Sequence, residues 1–311
     1  MENAPTVDIG RVIGPLFIGS ILNWMLMGTL VMQLYTYYQT FSFDQLFLRI
    51  LVNTLFVLDL AQTFVSTHFA WYFIVTMWGN ASDFGVVPWS ASMIPILCGI
   101  VAGTVQIFYA WRIWVLAPDQ RLLKGMAVLI VLLALTQCTS AIVAGALVLR
   151  TPTQGELLVI KPEVTTWLSC SFIVDFFITA SMTFILTQAK DQSGWGPSET
   201  VITALIHRVV QTGAASAVCA AIDLWMFVGY PGTNIHFVPA FILGKVYTNS
   251  LMLTLNLRRP LGKNQSSHDE PLTSLGSVRM YETWGTLDSE TCPGGTWKKD
   301  QAAAQAAESE A

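Results

Sequence analysis

The chain reads as long apolar runs separated by short polar stretches. Seven runs, at about 13–37, 50–73, 91–115, 125–149, 166–187, 209–229 and 237–257, have the length and character of membrane-spanning helices. At ~1.5 Å of rise per residue, roughly 20 apolar residues cross ~30 Å of hydrocarbon. The third and fourth are the cleanest, with no charged side chain from Phe84 to Tyr109 or from Gly125 to Leu149. The second, fifth, sixth and seventh each carry at least one ionisable residue inside an apolar run. Prolines agree with the boundaries. Pro15, Pro95 and Pro239 fall in predicted first turns, where a missing N–H is tolerated. Pro88, Pro118, Pro152, Pro162, Pro197 and Pro231 fall between spans. Aromatic residues gather at the ends, as interfacial anchoring requires: Tyr35, Tyr37, Tyr38, Trp71, Tyr72, Trp111, Trp114 and Tyr230. The pattern predicts an all-α fold, a polytopic membrane bundle of seven transmembrane helices over residues 13–259. A short segment, 1–12, precedes it. The first run stays uncharged from Val12 to Phe43, too long for a signal-peptide core, so it is expected to be both span and targeting signal.

Composition fits this reading. Of 311 residues, 53% are hydrophobic and only 12% charged, against roughly 25% charged in soluble domains. That excludes water-soluble enzymes, nucleic-acid binders and wholly disordered chains. Residues 1–259 carry twelve Lys/Arg and twelve Asp/Glu, whereas residues 260–311 carry four and eight, so the net charge of −4 belongs to the tail. The tail, 260–311, is rich in Ser, Thr, Gly, Ala, Gln and acids and is expected to be a disordered acidic cytoplasmic segment. Ser266, Ser267, Thr273, Ser274 and Ser277 offer it phosphorylation sites. Cys98, Cys138, Cys170 and Cys219 lie in apolar runs and Cys292 in the tail, with no disulfide or zinc spacing.

Basic residues set the orientation. With the N-terminus outside and the C-terminus cytoplasmic, the inner side holds Arg49, Arg112, Arg121, Lys124, Lys190, Arg208, Arg258, Arg259 and Lys263. The outer side then holds only Arg11, Arg150 and Lys161. The glycosylation signal Asn80-Ala81-Ser82 falls outside in this arrangement, and Asn264-Gln265-Ser266 falls inside. Arg112, Arg121, Lys124, Arg208, Arg258 and Arg259 form the expected face for lipid headgroups or a cytoplasmic protein partner.

Ionisable groups at bilayer depth are the best functional pointers, because each is costly unless paired or hydrated. They are Asp59 and His68 in the second span, Asp175 in the fifth, Asp223 in the sixth and Lys245 in the seventh. Asp223 and Lys245 both fall about 10 Å below the outer surface by rise per residue, and an Asp223–Lys245 ion pair is expected. Asp59 and Asp175 lie nearer the middle. Lys245, hydrogen bonds from Asn53, Thr54 or Thr179, or a bound proton are their alternatives. His68 is expected to be a wetted surface residue.

No enzyme constellation fits. A retinal-binding lysine needs a carboxylate in the third span and an Asp four residues before it, where this chain has Phe241. Four histidines, at 68, 207, 236 and 268, form no His-x-x-x-His or His-Glu-x-x-His set, and there is no Gly-x-Ser-x-Gly or Walker loop. Rhodopsin-like receptor motifs are also missing: the third span ends Tyr109-Ala110-Trp111-Arg112, and the seventh has Tyr247-Thr248-Asn249 without a following proline pattern.

Several fragments carry a family likeness: Ile13-Gly14-Pro15-Leu16-Phe17-Ile18-Gly19, the Tyr37-Tyr38 to Phe43-Asp44 turn, and Gln106-Ile107-Phe108-Tyr109-Ala110-Trp111-Arg112-Ile113. Further on come Ser171-Phe172-Ile173-Val174-Asp175, Leu243-Gly244-Lys245-Val246-Tyr247-Thr248-Asn249-Ser250-Leu251 and Leu255-Asn256-Leu257-Arg258. In that order the chain resembles an uncharacterised family of seven-helix membrane proteins expanded in mushroom-forming fungi. The C-terminal three helices of that family, about 166–259 here, form a domain of unknown function. One departure is Gln211-Thr212-Gly213, where members carry an acid before the glycine. The resemblance implies a receptor-like plasma-membrane or endomembrane protein with no assigned ligand or reaction.

Within the resembling motifs, Asp175, Lys245 and Asn249 stand out. Lys245 and Asn249 are four apart and share a helix face, with Tyr247 turned away. Asp175, Asp223, Lys245, Asn249 and Asp59 are therefore the expected polar ligand or ion-pair cluster inside the bundle. The leading expectation is a receptor-like or sensory protein, not an enzyme, with no cofactor and no metal. Its partners would be membrane lipids, a small ligand or solute and a cytoplasmic protein, with no nucleic acid. The alternatives are a small-solute or ion/proton transporter and a non-catalytic organising protein.

Overall fold

The computed structural model describes residues 9–41, 44–77, 87–150, 160–193, 197–230 and 233–257. The 260–311 tail, the Asn80 signal, Arg258 and Arg259 lie outside the described residues. Seven α-helices follow one another: α1 (Ile9–Thr40), α2 (Leu46–Trp71), α3 (Ser90–Leu116), α4 (Arg121–Val148), α5 (Lys161–Ser193), α6 (Pro197–Gly229) and α7 (Phe237–Asn256). A π-helical turn, Tyr72–Thr76, continues α2. Among the described residues there is no strand.

All seven helices are long and apolar enough to cross a membrane. Their outward faces are apolar as well. Met25 and Met32 on α1, Leu132 and Leu135 on α4, and Phe176 and Phe184 on α5 are all exposed. Exposed apolar surface on this scale is solvated by lipid tails, so the bundle is a membrane-embedded protein.

The helices outrun the apolar runs that announce them. α6 begins at Pro197 rather than near 209, and α5 continues to Ser193 rather than 187. Hydrocarbon thickness limits the apolar window, but backbone hydrogen bonding continues into the polar ends. For the same reason Pro15 and Pro95 sit in the second turns of α1 and α3, not the first turns expected.

α7 and α3 form the centre. Within their apolar windows 67% and 61% of residues are buried, against 28% for α1 and α4 and 22% for α6. The central helices pack against α1, α2, α4, α5 and α6. α1 and α7 run parallel, as the first and seventh of alternating spans must. Thr29 Oγ1 donates to Asn249 Oδ1 at 2.8 Å, and Asn256 Nδ2 donates to the Gln33 carbonyl at 2.9 Å. Small residues let α3 and α4 approach closely. A Cβ added at Gly145 would lie 2.5 Å from the Ser92 carbonyl oxygen, and one at Gly99 would lie 2.5 Å from the Ala141 Cβ.

Candidate functional site

The intramembrane polar residues separate into three groups rather than one cluster. In the first, Lys245 is fully buried on α7 and reaches across to α2. Its Nζ donates to the Asp59 backbone carbonyl at 2.7 Å and lies 3.1 Å from Asp59 Oδ1, with Gln62 Oε1 at 3.5 Å. Gly244 opens the approach. A Cβ there would lie 2.5 Å from Gln62 Oε1. The expected Asp223–Lys245 pair is thus replaced by Asp59–Lys245. Depth alone suggested the former, but two helices can match in height while their side chains point in different directions around the axis.

The second group centres on Asp175 of α5. Its Oδ2 accepts from Tyr247 Oη at 2.7 Å and its Oδ1 from Gln106 Nε2 at 3.3 Å. Gln106 Oε1 in turn accepts from Gln137 Nε2, whose Oε1 accepts from Ser171 Oγ. These bonds tie α3, α4, α5 and α7 into a buried polar layer. Both Asp175 oxygens are engaged, which suits helix-to-helix cohesion. A small cavity of about 30 Å³ beside Asp175, Tyr247 and Ser216 is the size of one or two waters. Gln106, Gln137 and Tyr247 escaped the sequence reading. Uncharged amides inside otherwise apolar runs were the signal, and the turn of Tyr247 away from Lys245 is what delivers it to Asp175.

The third group faces open space. A cavity of about 230 Å³ lies at the end of the bundle where α2, α4 and α6 finish and α3, α5 and α7 begin. Its walls include Phe69, Phe73, Ile94, Trp167, Phe227 and Phe237. The rings are interlocked, with Phe69 4.8 Å from Phe237, Phe69 5.1 Å from Phe73, and His236 4.2 Å from Phe237 by centroids. The π-helical turn brings Phe73 into the wall, and such turns recur at functional positions. Asp223 lines the same cavity while only 1% exposed. Neither of its carboxylate oxygens has a hydrogen-bond partner among the described residues. His236 Nδ1, at 3.8 Å from Oδ1, is beyond hydrogen-bond reach. Lys161 lines the cavity from an exposed position at the start of α5.

Asn249 joins none of these groups. Half-buried, it donates to the Leu26 carbonyl of α1 at 3.3 Å and to the Lys245 carbonyl at 2.8 Å. His68 is exposed, as expected, and its Nδ1 lies 3.0 Å from Ser90 Oγ at the start of α3. Among the basic residues, Arg121 and Arg208 are exposed at the opposite end of the bundle. Lys124 is half-buried, its Nζ 5.4 Å from the Trp114 ring. Arg112, expected on the partner or lipid face, is instead only 5% exposed, because α3 is a central helix and Arg112 lies on its inward side. The four described cysteines are unpaired, and no three of His, Cys, Asp and Glu come together as metal ligands among the described residues.

Residues 171–260 match the model of a family of unknown function, DUF6534. The matched stretch runs from mid-α5 through α6 and α7, so it contains Asp175, Asp223, His236, Lys245 and Tyr247 but neither Asp59 nor Gln106. No curated protein and no solved structure matches the chain.

Proposed function

We propose that this seven-helix membrane protein is receptor-like: it binds a small molecule in the aromatic cavity and signals occupancy through the bundle. The observation that carries the reading is the cavity itself, about 230 Å³ with a buried carboxylate facing it. A concave, largely apolar space with a few convergent polar groups is the usual form of a ligand site. The basic-residue bias puts this end of the bundle outside the cell or in an organelle lumen, where a sensed ligand arrives. The central helices α3 and α7 run from the cavity towards the exposed Arg121 and Arg208, which suit lipid headgroups or a cytoplasmic protein. The protein carries out no reaction in this reading. The transporter alternative is weaker, because Asp59 and Asp175, the carboxylates that a pathway would use, are committed to Lys245, Tyr247 and Gln106.

The test uses the purified full chain. Small molecules of varied charge are screened for a rise in unfolding temperature, and hits are assayed for flux across vesicles. Stabilisation without flux, abolished by Ala91→Phe, which fills the cavity from its α3 wall, is the expected result. Solute movement that stops with Asp59→Asn or Asp175→Asn would overturn the receptor in favour of the transporter.

A further inference from the structure

We infer that the cavity takes an organic ammonium ion, an amine or quaternary ammonium with a compact apolar body, whose charge is met by Asp223. The inference rests on the cavity being a ligand site and names the chemistry that fits it.

Asp223 is the only acidic residue among the described residues lining the cavity, and it differs from the other two buried carboxylates. Asp59 has Lys245, and Asp175 has Tyr247 and Gln106. Asp223 is equally withdrawn from water, at 1% exposed, yet both its oxygens lack a hydrogen-bond donor among the described residues. A carboxylate left so is costly unless a partner arrives. The partner has room, since Asp223 faces about 230 Å³ of space.

The walls specify the partner's sign. Rings of Phe69, Phe73, Trp167, Phe227 and Phe237 surround the space, and aromatic faces attract cations that have shed water. An anion would meet the Asp223 carboxylate at close range. A neutral ligand with a hydrogen-bond donor would satisfy one oxygen and leave the charge unmatched. His236 is the other titratable group facing Asp223; its Nδ1 lies 3.8 Å from Oδ1, within ion-pair range but too far for a hydrogen bond, and its ring packs between Phe227 at 5.2 Å and Phe237 at 4.2 Å. Lys161 is exposed, so its charge is hydrated and opposes an incoming cation weakly. The volume is below the roughly 300–1,000 Å³ of drug-sized sites, which points to a ligand of one ring or a short branched chain.

Isosteric probes separate charge from shape. The full chain in detergent or nanodiscs is titrated with 2-phenylethylamine, 2-phenylethanol and 3-phenylpropionate, and with trimethylphenylammonium against tert-butylbenzene, by unfolding temperature and by Trp fluorescence. The two cations are expected to bind at least tenfold more tightly than their neutral and anionic counterparts. Asp223→Asn, which keeps the side chain's shape, should remove that preference, and Arg121→Gln, at the opposite end of the bundle, should leave it within twofold. Should Asp223→Asn fail to fold, the charge series on the unaltered protein decides alone. Neutral probes binding as tightly as the cations, or an unchanged preference in a folded Asp223→Asn, overturn the ammonium assignment while the ligand site stands. Silence from every probe overturns the assignment, and if Ala91→Phe also leaves the wider screen unchanged, the ligand site falls with it.

Discussion

Lys245 is held by two oxygens of a single residue, the side-chain and backbone oxygens of Asp59. Both side chains are fully buried, so removing one charge strands the other in low dielectric. Lys245→Met or Asp59→Asn alone should each cost about 3 kcal/mol. The double replacement should recover at least half of the summed loss, because the stranded charge is gone. Unfolding of purified protein in detergent measures this, and strictly additive losses would show the two residues uncoupled. The sequence exposed Lys245, Asp59, Asp175 and Asp223 as unusual, since charges are conspicuous in apolar runs. It did not reveal their partners. Height along a helix follows from residue counting, whereas direction around the axis depends on how neighbouring helices are rotated.

At the scale of the helix, α4 illustrates how a glycine's neighbourhood decides its role. Gly145 faces the Ser92 carbonyl and Ile96 of α3, with 2.5 Å left for a Cβ, while Gly125 on the same helix has nothing within 4 Å. Gly145→Val should therefore cost about 3 kcal/mol or more, because backbone must move. Gly125→Val should stay within roughly 1 kcal/mol in either direction, because the helix propensities of glycine and a β-branched residue differ by less than that and the added side chain meets open space. Thermal unfolding of the two variants side by side tests the contrast. Equal effects would mean that α3 and α4 do not touch at Ser92. The existence of α3 and α4 was plain from runs without charge, but which of their glycines lay at the contact was not. Both helices are apolar all round, and periodicity cannot distinguish lipid from protein when both are apolar. The same ambiguity hid the enclosure of Arg112: a basic residue at a span end reads as an interfacial anchor until its helix is known to be central.

For the whole molecule, orientation is the property that charge counting predicts and the bundle alone leaves open. Expressed in secretory-pathway membranes, the protein should carry a glycosidase-sensitive sugar that Asn80→Gln removes and Asn264→Gln does not. A reporter fused after Arg259 should be shielded in intact cells, and its exposure would invert the topology and turn the cavity inward. The number of spans and their membrane character were determined by the sequence itself, because crossing hydrocarbon imposes a length and an apolarity that any folded arrangement must obey. Tertiary structure decided what the polar residues do. It turned Lys245 to Asp59, closed Asp175 into an amide and hydroxyl layer, and left Asp223 facing an aromatic cavity with neither oxygen hydrogen-bonded among the described residues. Those outcomes depend on helix rotation and on which helices are central, and in a lipid solvent the apolar pattern carries little information about either.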